Sequence, residues 1–355
     1  MDLYTGQTHI VAQTCGWEPQ LGANLNWGES DHELFFNDVD IKNWIPFAWK
    51  LDPLTGNRYR MQGTVYHASS DGRWLISANL STMSKTQLGY GVCLPEETVG
   101  RNIGASKEDG FYLTDTTTGK TRLFVSIADL LASTGPPLIM SDPEKMEIYG
   151  FHCKFNLQAD RVMLSLRWFP AADEPRRDMF NIDYDSVEYA WFTMGLEGKE
   201  IYCAVGADQW RKDGDHATWF PDGRRISMNL NIDGNGMRFV EANADGSNLH
   251  KMLPETVGSG HPTVHLDTRH LLTDTYTWGK RSFGDGTVPL RWINLETGTE
   301  EDIVRINTRQ LCKNKVMRVD PHPAWDRTWR YVTFNAFIGG TRRIFVADMK
   351  ELLSQ

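Results

Sequence analysis

Several features that mark common protein classes are missing from this 355-residue chain. It has no excess of positive charge: 37 Lys and Arg stand against 46 Asp and Glu, a formal net charge of −9. Neutralising a phosphate backbone needs basic surface, so a nucleic-acid scaffold is excluded and no nucleic-acid partner is expected. No run approaches the roughly 18 apolar residues that a spanning helix needs, so no membrane partner is expected either. The opening residues MDLYTGQTHIVAQT contain neither a basic nor an apolar segment and do not read as a secretion signal. Cysteine is sparse. Cys15, Cys93, Cys153, Cys203 and Cys312 are odd in number, widely spaced and form no CxxC pair. That usage predicts reduced, mostly buried thiols in a cytoplasmic protein. There is no nucleophile-elbow serine motif, no dinucleotide glycine motif and no phosphate loop.

Helical periodicity is also scarce. The two helical stretches are short, around Ile127–Ser133 and Lys350–Leu353. Alternating runs dominate instead: WLISANL, RVMLSLRWF, RISMNLNI, HLLTDTY and RYVTFNAF read as strands by alternation and by β-branched and aromatic content. The chain is rich in Trp (13) and Gly (31), which suits aromatic packing between sheets joined by tight turns.

An internal repeat organises these strands. Its clearest copy is DHATWFPDGRRISMNL, Asp215 to Leu230, in which Pro221-Asp222-Gly223 forms a tight turn. Related copies begin at Ala23, Val65, Phe151, His261 and His322. Each is followed by a strand, an acidic Gly-containing turn and a further strand, as in RFVEANADGSNLHKML. The last strand, RRIFVADM, lacks a returning partner, and the first residues, DLYTGQTHIV, resemble that missing half. These features predict an all-β chain forming one β-propeller domain over residues 1–355, its ring closed by the N-terminal strand. Six copies are visible. The interval from His67 to His152 is nearly double that from His216 to His261, so a blade can hide around Ser84–Gly110. Seven blades of about 51 residues each are therefore expected. Six blades with a long loop there is the alternative.

Residues at one repeat position converge at the centre of a propeller. His67, His152, His216, His261 and His322 share such a position. His261 and His322 each precede a proline, which holds them extended. Asp320 lies two residues before His322, so both side chains can point the same way. Two imidazoles and a carboxylate suit Mn²⁺, Fe²⁺, Zn²⁺ or Ni²⁺. His216, flanked by Asp215 and Trp219, is a candidate general base. Arg167 needs an anionic partner on its apolar strand: a substrate carboxylate, or Asp173 or Glu174. His67, His152, Lys154 and Trp219 are candidate substrate contacts.

The motifs HATWFPDG, Gly260-His261 and DPHPAWDRTWRYVTFNAFIGGTRRIFVADM resemble the oligogalacturonate lyases, a family of cytoplasmic β-propeller polysaccharide lyases. The likeness runs from about Tyr149 to Met349. The N-terminal half resembles TolB-like and WD-type propeller repeats more generally. The resemblance implies a divalent metal, typically Mn²⁺, held by three His and one Gln, with a separate His as base and an Arg assisting. Under it His261 and His322 are metal ligands, His216 abstracts the C5 proton, and Asp320 stands where the family has a further metal His. The family Gln falls near Met317. The family Arg falls near Glu188–Ala190, where none is present, leaving Arg167 to substitute. These departures point to a uronate-containing oligosaccharide other than oligogalacturonate as partner, cleaved by metal-assisted β-elimination in a monomer or homodimer. Two other readings remain. One is a non-catalytic propeller that binds glycan or protein. The other is a sugar hydrolase or epimerase; a hydrolase would draw a carboxylate pair from Asp38, Asp115, Asp274 and Asp320.

Overall fold

The computed structural model describes residues 5–133, 140, 142–172, 186–309 and 318–354. Among these residues the strands form six sheets in which neighbours follow chain order. The first holds β1 (Asn26–Trp27), β2 (Leu34–Asp40), β3 (Ile45–Leu51) and β4 (Arg58–Arg60). The second holds β5 (His67–Ala68), β6 (Trp74–Ala78), β7 (Gly110–Asp115) and β8 (Thr121–Ser126). β9 (Met146–Phe155), β10 (Arg161–Pro170), β11 (Glu188–Gly195) and β12 (Tyr202–Val205) make the third. β13 (Gly214–Trp219), β14 (Arg225–Leu230), β15 (Arg238–Asn243) and β16 (His250–Lys251) make the fourth. The fifth is β17 (Thr263–Val264), β18 (His270–Thr273), β19 (Thr287–Asn294) and β20 (Glu300–Asn307). The sixth has three strands, β21 (Ala324–Trp325), β22 (Tyr331–Ile338) and β23 (Thr341–Asp348).

Six sheets replace the expected seven. The stretch from Ser84 to Gly110 holds no hidden blade: between β6 and β7 the chain makes only single helical turns at Met83–Lys85 and Glu96–Thr98. Its apolar residues Leu88, Tyr90 and Val92 are nonetheless buried, and Tyr90 and Val92 pack with Val39, Leu80 and Phe151. A buried loop therefore consumed the length that the spacing assigned to strands. At the N-terminus, residues Thr5–Val11 form no strand and are exposed.

Alternation sets the strands' burial. In β22, Val332, Phe334 and Ala336 point inward and pack with Leu272, Val288, Leu290 and Trp292 of the fifth sheet. Full burial of each large apolar side chain contributes roughly 1.5–3 kcal/mol. The turn between β13 and β14 needs Gly223, whose φ is +67° and whose N–H bonds the Phe220 carbonyl at 2.9 Å. The helices are short: α1 (Ile127–Leu131), α2 (Ala207–Trp210) and α3 (Lys350–Leu353). Ser126 and Asp129 close a capping box on α1.

By contacts the chain divides into two compact units. The first comprises Met1–Ala132, Asp142–Phe155 and Leu164–Val187, and the second Ser133–Ser141, Asn156–Met163 and Glu188–Gln355. No disulfide links the described cysteines. Cys153 and Cys203 are buried, but Cys15 and Cys93 are exposed, against the expectation of mostly buried thiols. Cys312 lies outside the described residues. Among the described residues no helix is long and apolar enough to cross a membrane.

Candidate functional site

The shared register of the histidines is a property of the fold. His67 opens β5, His152 lies in β9 and His216 in β13, while His261 and His322 stand just ahead of β17 and β21. These are the first strands of the second to sixth sheets.

In the second unit three of them meet. The ring centroids of His216 and His261 are 4.0 Å apart, and those of His261 and His322 3.9 Å. The backbone aims them unusually. His216 has φ +53° and His322 φ +45°, left-handed values that cost a non-glycine residue roughly 1–3 kcal/mol. The β13–β14 register also shifts between Asp215 and Thr218, a bulge that turns His216 out of the strand's ordinary alternation.

Asp274 ties the cluster together. Its carboxylate is buried at 1% exposure and accepts the backbone N–H of His261 at 2.7 Å and of His322 at 3.2 Å. It also holds His261 Nδ1 at 2.9 and 3.0 Å. Such a carboxylate keeps the imidazole proton on Nδ1 and the lone pair on Nε2. The approach demands Gly260: its φ is +74°, and a Cβ there would lie 2.1 Å from the Asp274 carbonyl oxygen. Burial pushes the Asp274 carboxyl above its ordinary range. Burial likewise holds His322 below its ordinary value, so its neutral form is favoured.

His216 Nε2 is hydrogen-bonded to the Tyr276 hydroxyl. Asp215, 3.9 Å from the same nitrogen, accepts from Asn229 at 2.6 Å. Its carboxyl is pushed up to about 7, first by burial and then by Asp213 and Asp274.

A second polar cluster lies in the first unit. His152 Nδ1 is hydrogen-bonded to the Tyr66 hydroxyl, and His67 Nδ1 accepts the Phe155 N–H at 3.3 Å. Burial lowers Lys154 to about 8. Burial, with Lys154 nearby, lowers His67 to about 4. Arg167 donates to Gln87 at 2.6 Å and lies 3.4 Å over the Phe151 ring. Glu18, 1% exposed, accepts from Asn24 and from the Gly91 N–H, and burial pushes it up to about 7.

Two further expected site residues are held by packing or an ion pair. Trp219 is 7% exposed and packs in the core with Met163, Trp191 and Met228, so its face is not offered to a substrate. Asp320 is engaged by Arg318 Nε at 2.6 Å and its charge bears on the His322 imidazole, while Asp274 holds His261. Among the described residues no three of His, Cys, Asp and Glu are grouped as a metal site. The donor chemistry of His261 and His322 still suits a divalent ion, because His261 is already oriented by a carboxylate. Met317, Asp173 and Glu174 lie outside the described residues. Sequence reasoning missed Tyr276 and the part played by Asp274. A signal existed: Asp274, Tyr276 and Trp278 share one parity directly after β18.

No protein-family description matches the chain. No curated protein is similar to it. Solved structures are. An oligogalacturonate lyase in complex with manganese superposes with TM-score 0.55 at 12% identity, covering 94% of this chain and 78% of that one. The chain has the β-propeller fold. As a propeller it also resembles a puromycin-hydrolyzing peptidase of Mycobacterium tuberculosis (TM-score 0.51, 12% identity, 96% of this chain and 47% of that one). Kuenenia stuttgartiensis hydrazine synthase is a third likeness, with TM-score 0.50 at 12% identity, covering 99% of this chain and 82% of that one. The six sheets are the propeller's six blades.

Proposed function

We propose that this propeller cleaves a uronate-containing oligosaccharide by β-elimination at the His216–His261–His322 cluster. One observation carries the reading: three imidazoles from three successive blades meet, the middle one held by a buried carboxylate and the outer two on left-handed backbone. The likeness to a lyase supports the same choice.

His216, within hydrogen-bond reach of Tyr276, takes the C5 proton of the uronate. The electrons of that C–H bond form the C4=C5 double bond as the C4–O bond breaks. The Tyr276 hydroxyl protonates the departing oxygen. The proton on His216 then returns along the His216–Tyr276 hydrogen bond, restoring both groups. A divalent ion, manganese in the lyase neighbour, would be held by His261 and His322 and would supply positive charge to the uronate carboxylate.

A panel of uronate oligosaccharides, followed by the ultraviolet absorbance of an unsaturated product, tests the proposal. Absorbance that grows with enzyme and is lost in His216→Gln is expected. A second reading rests on Asp215, whose raised carboxyl beside Asp274 is the acid that a hydrolase would use. Reducing ends released without that absorbance would select hydrolysis. Binding without any cleavage would select the non-catalytic propeller.

A further inference from the structure

Beyond β18 one aromatic is spent in an unusual way. Trp278 is 73% exposed, whereas Trp191, Trp219 and Trp292 of the same unit are buried. Its ring lies flat on Tyr276, with centroids 4.7 Å apart and planes 6° from parallel. One indole face is therefore fixed by Tyr276 while the ring as a whole stays in water. Trp278 sits within the turn that follows, closed by the Gly279 N–H donating to the Tyr276 carbonyl at 2.9 Å. Tyr276 is itself part of the candidate site, through its hydroxyl on His216 and its ring 5.9 Å from His261. Lys280, exposed two residues further on, adds a cation to the same loop. Arg281 does not compete for this role, because Glu300 and Asp302 hold its guanidinium.

A fixed, flat and exposed apolar face with a lysine two residues along the same loop matches a charged pyranose: its C–H face would lie on the indole and its carboxylate would meet the ammonium. We propose that Trp278 is the stacking platform of a second subsite, which holds the uronate next to the one that reacts, with Lys280 meeting its carboxylate. This rests on the acidic-sugar reading of the site and adds a place for the neighbouring residue of the chain.

The test is calorimetric binding of galacturonate, mannuronate and glucuronate, as monomers and trimers, in a His216→Gln background that prevents turnover. For the trimer that binds best, Trp278→Ala is expected to weaken binding about tenfold, and Trp278→Phe to keep it within about threefold. Monomer binding should not change. Equal trimer affinity in Trp278→Ala overturns the platform, and if the wild type still cleaves that trimer the proposed function survives alone. Trimer binding that depends on Trp278 without cleavage by the wild type leaves the platform standing and removes the elimination. A wild type that binds none of the trimers overturns both.

Discussion

Asp274 shows how one buried residue can organise several others. It accepts two backbone N–H groups and one imidazole, so Asp274→Asn would set an amide N–H against donors. We expect about 1–3 kcal/mol of lost stability by urea denaturation, together with loss of turnover. An unchanged urea midpoint would contradict this account. Glu18, in the first unit's polar cluster, supplies a pH prediction. Its folded value of about 7 lies above the ordinary 4.5, so the folded chain keeps a proton that the unfolded chain releases. Stability from this group is complete below about pH 4.5 and declines as pH rises through about 7, by at most about 3 kcal/mol. Denaturation at about pH 5 and about pH 8 should show the decline in the wild type and a smaller one in Glu18→Gln. At this scale the sequence was readable where repetition spoke: five histidines at one repeat position all fall at first strands. It was unreadable where a residue's role depends on which side of a strand it faces. Trp219 went to the core, and Tyr276 to the site, for reasons that appear only once the bulge and the loop after β18 are formed.

The elements themselves followed their pattern. RYVTFNAF became β22 with alternating burial, and both short helices formed where the periodicity placed them. The capping box on α1 gives a local check. Ser126→Ala should lower stability by about 1 kcal/mol, read as a shift in the thermal midpoint, and leave the site untouched. The stretch from Ser84 to Gly110 misled because burial of Leu88, Tyr90 and Val92 makes a loop as apolar as a strand. Composition reports burial, and only hydrogen bonding decides whether a buried segment is a strand.

Over the whole molecule the repeat announced the propeller, and the blade number followed once the long loop was accounted for. Its chemistry is open to a direct measurement. Purified protein reconstituted with manganese is expected to hold about one divalent ion per chain, and the His261→Ala/His322→Ala variant none. Binding to the folded state alone should raise the thermal midpoint with metal concentration in the wild type and not in the variant. A folded wild type that retains no ion after reconstitution would remove the metal from the scheme and leave His216 and Tyr276 to act without it.

The left-handed backbone at His216 and His322 also predicts how this sequence should drift over evolutionary time. Glycine or asparagine would relieve the torsion at either position, so the fold alone would favour them there. Only a duty performed by the imidazoles keeps histidine in place. Relatives that still act on the substrate should therefore keep both, while lineages that have lost the activity should show Gly or Asn at these two positions before their other blade-start histidines change.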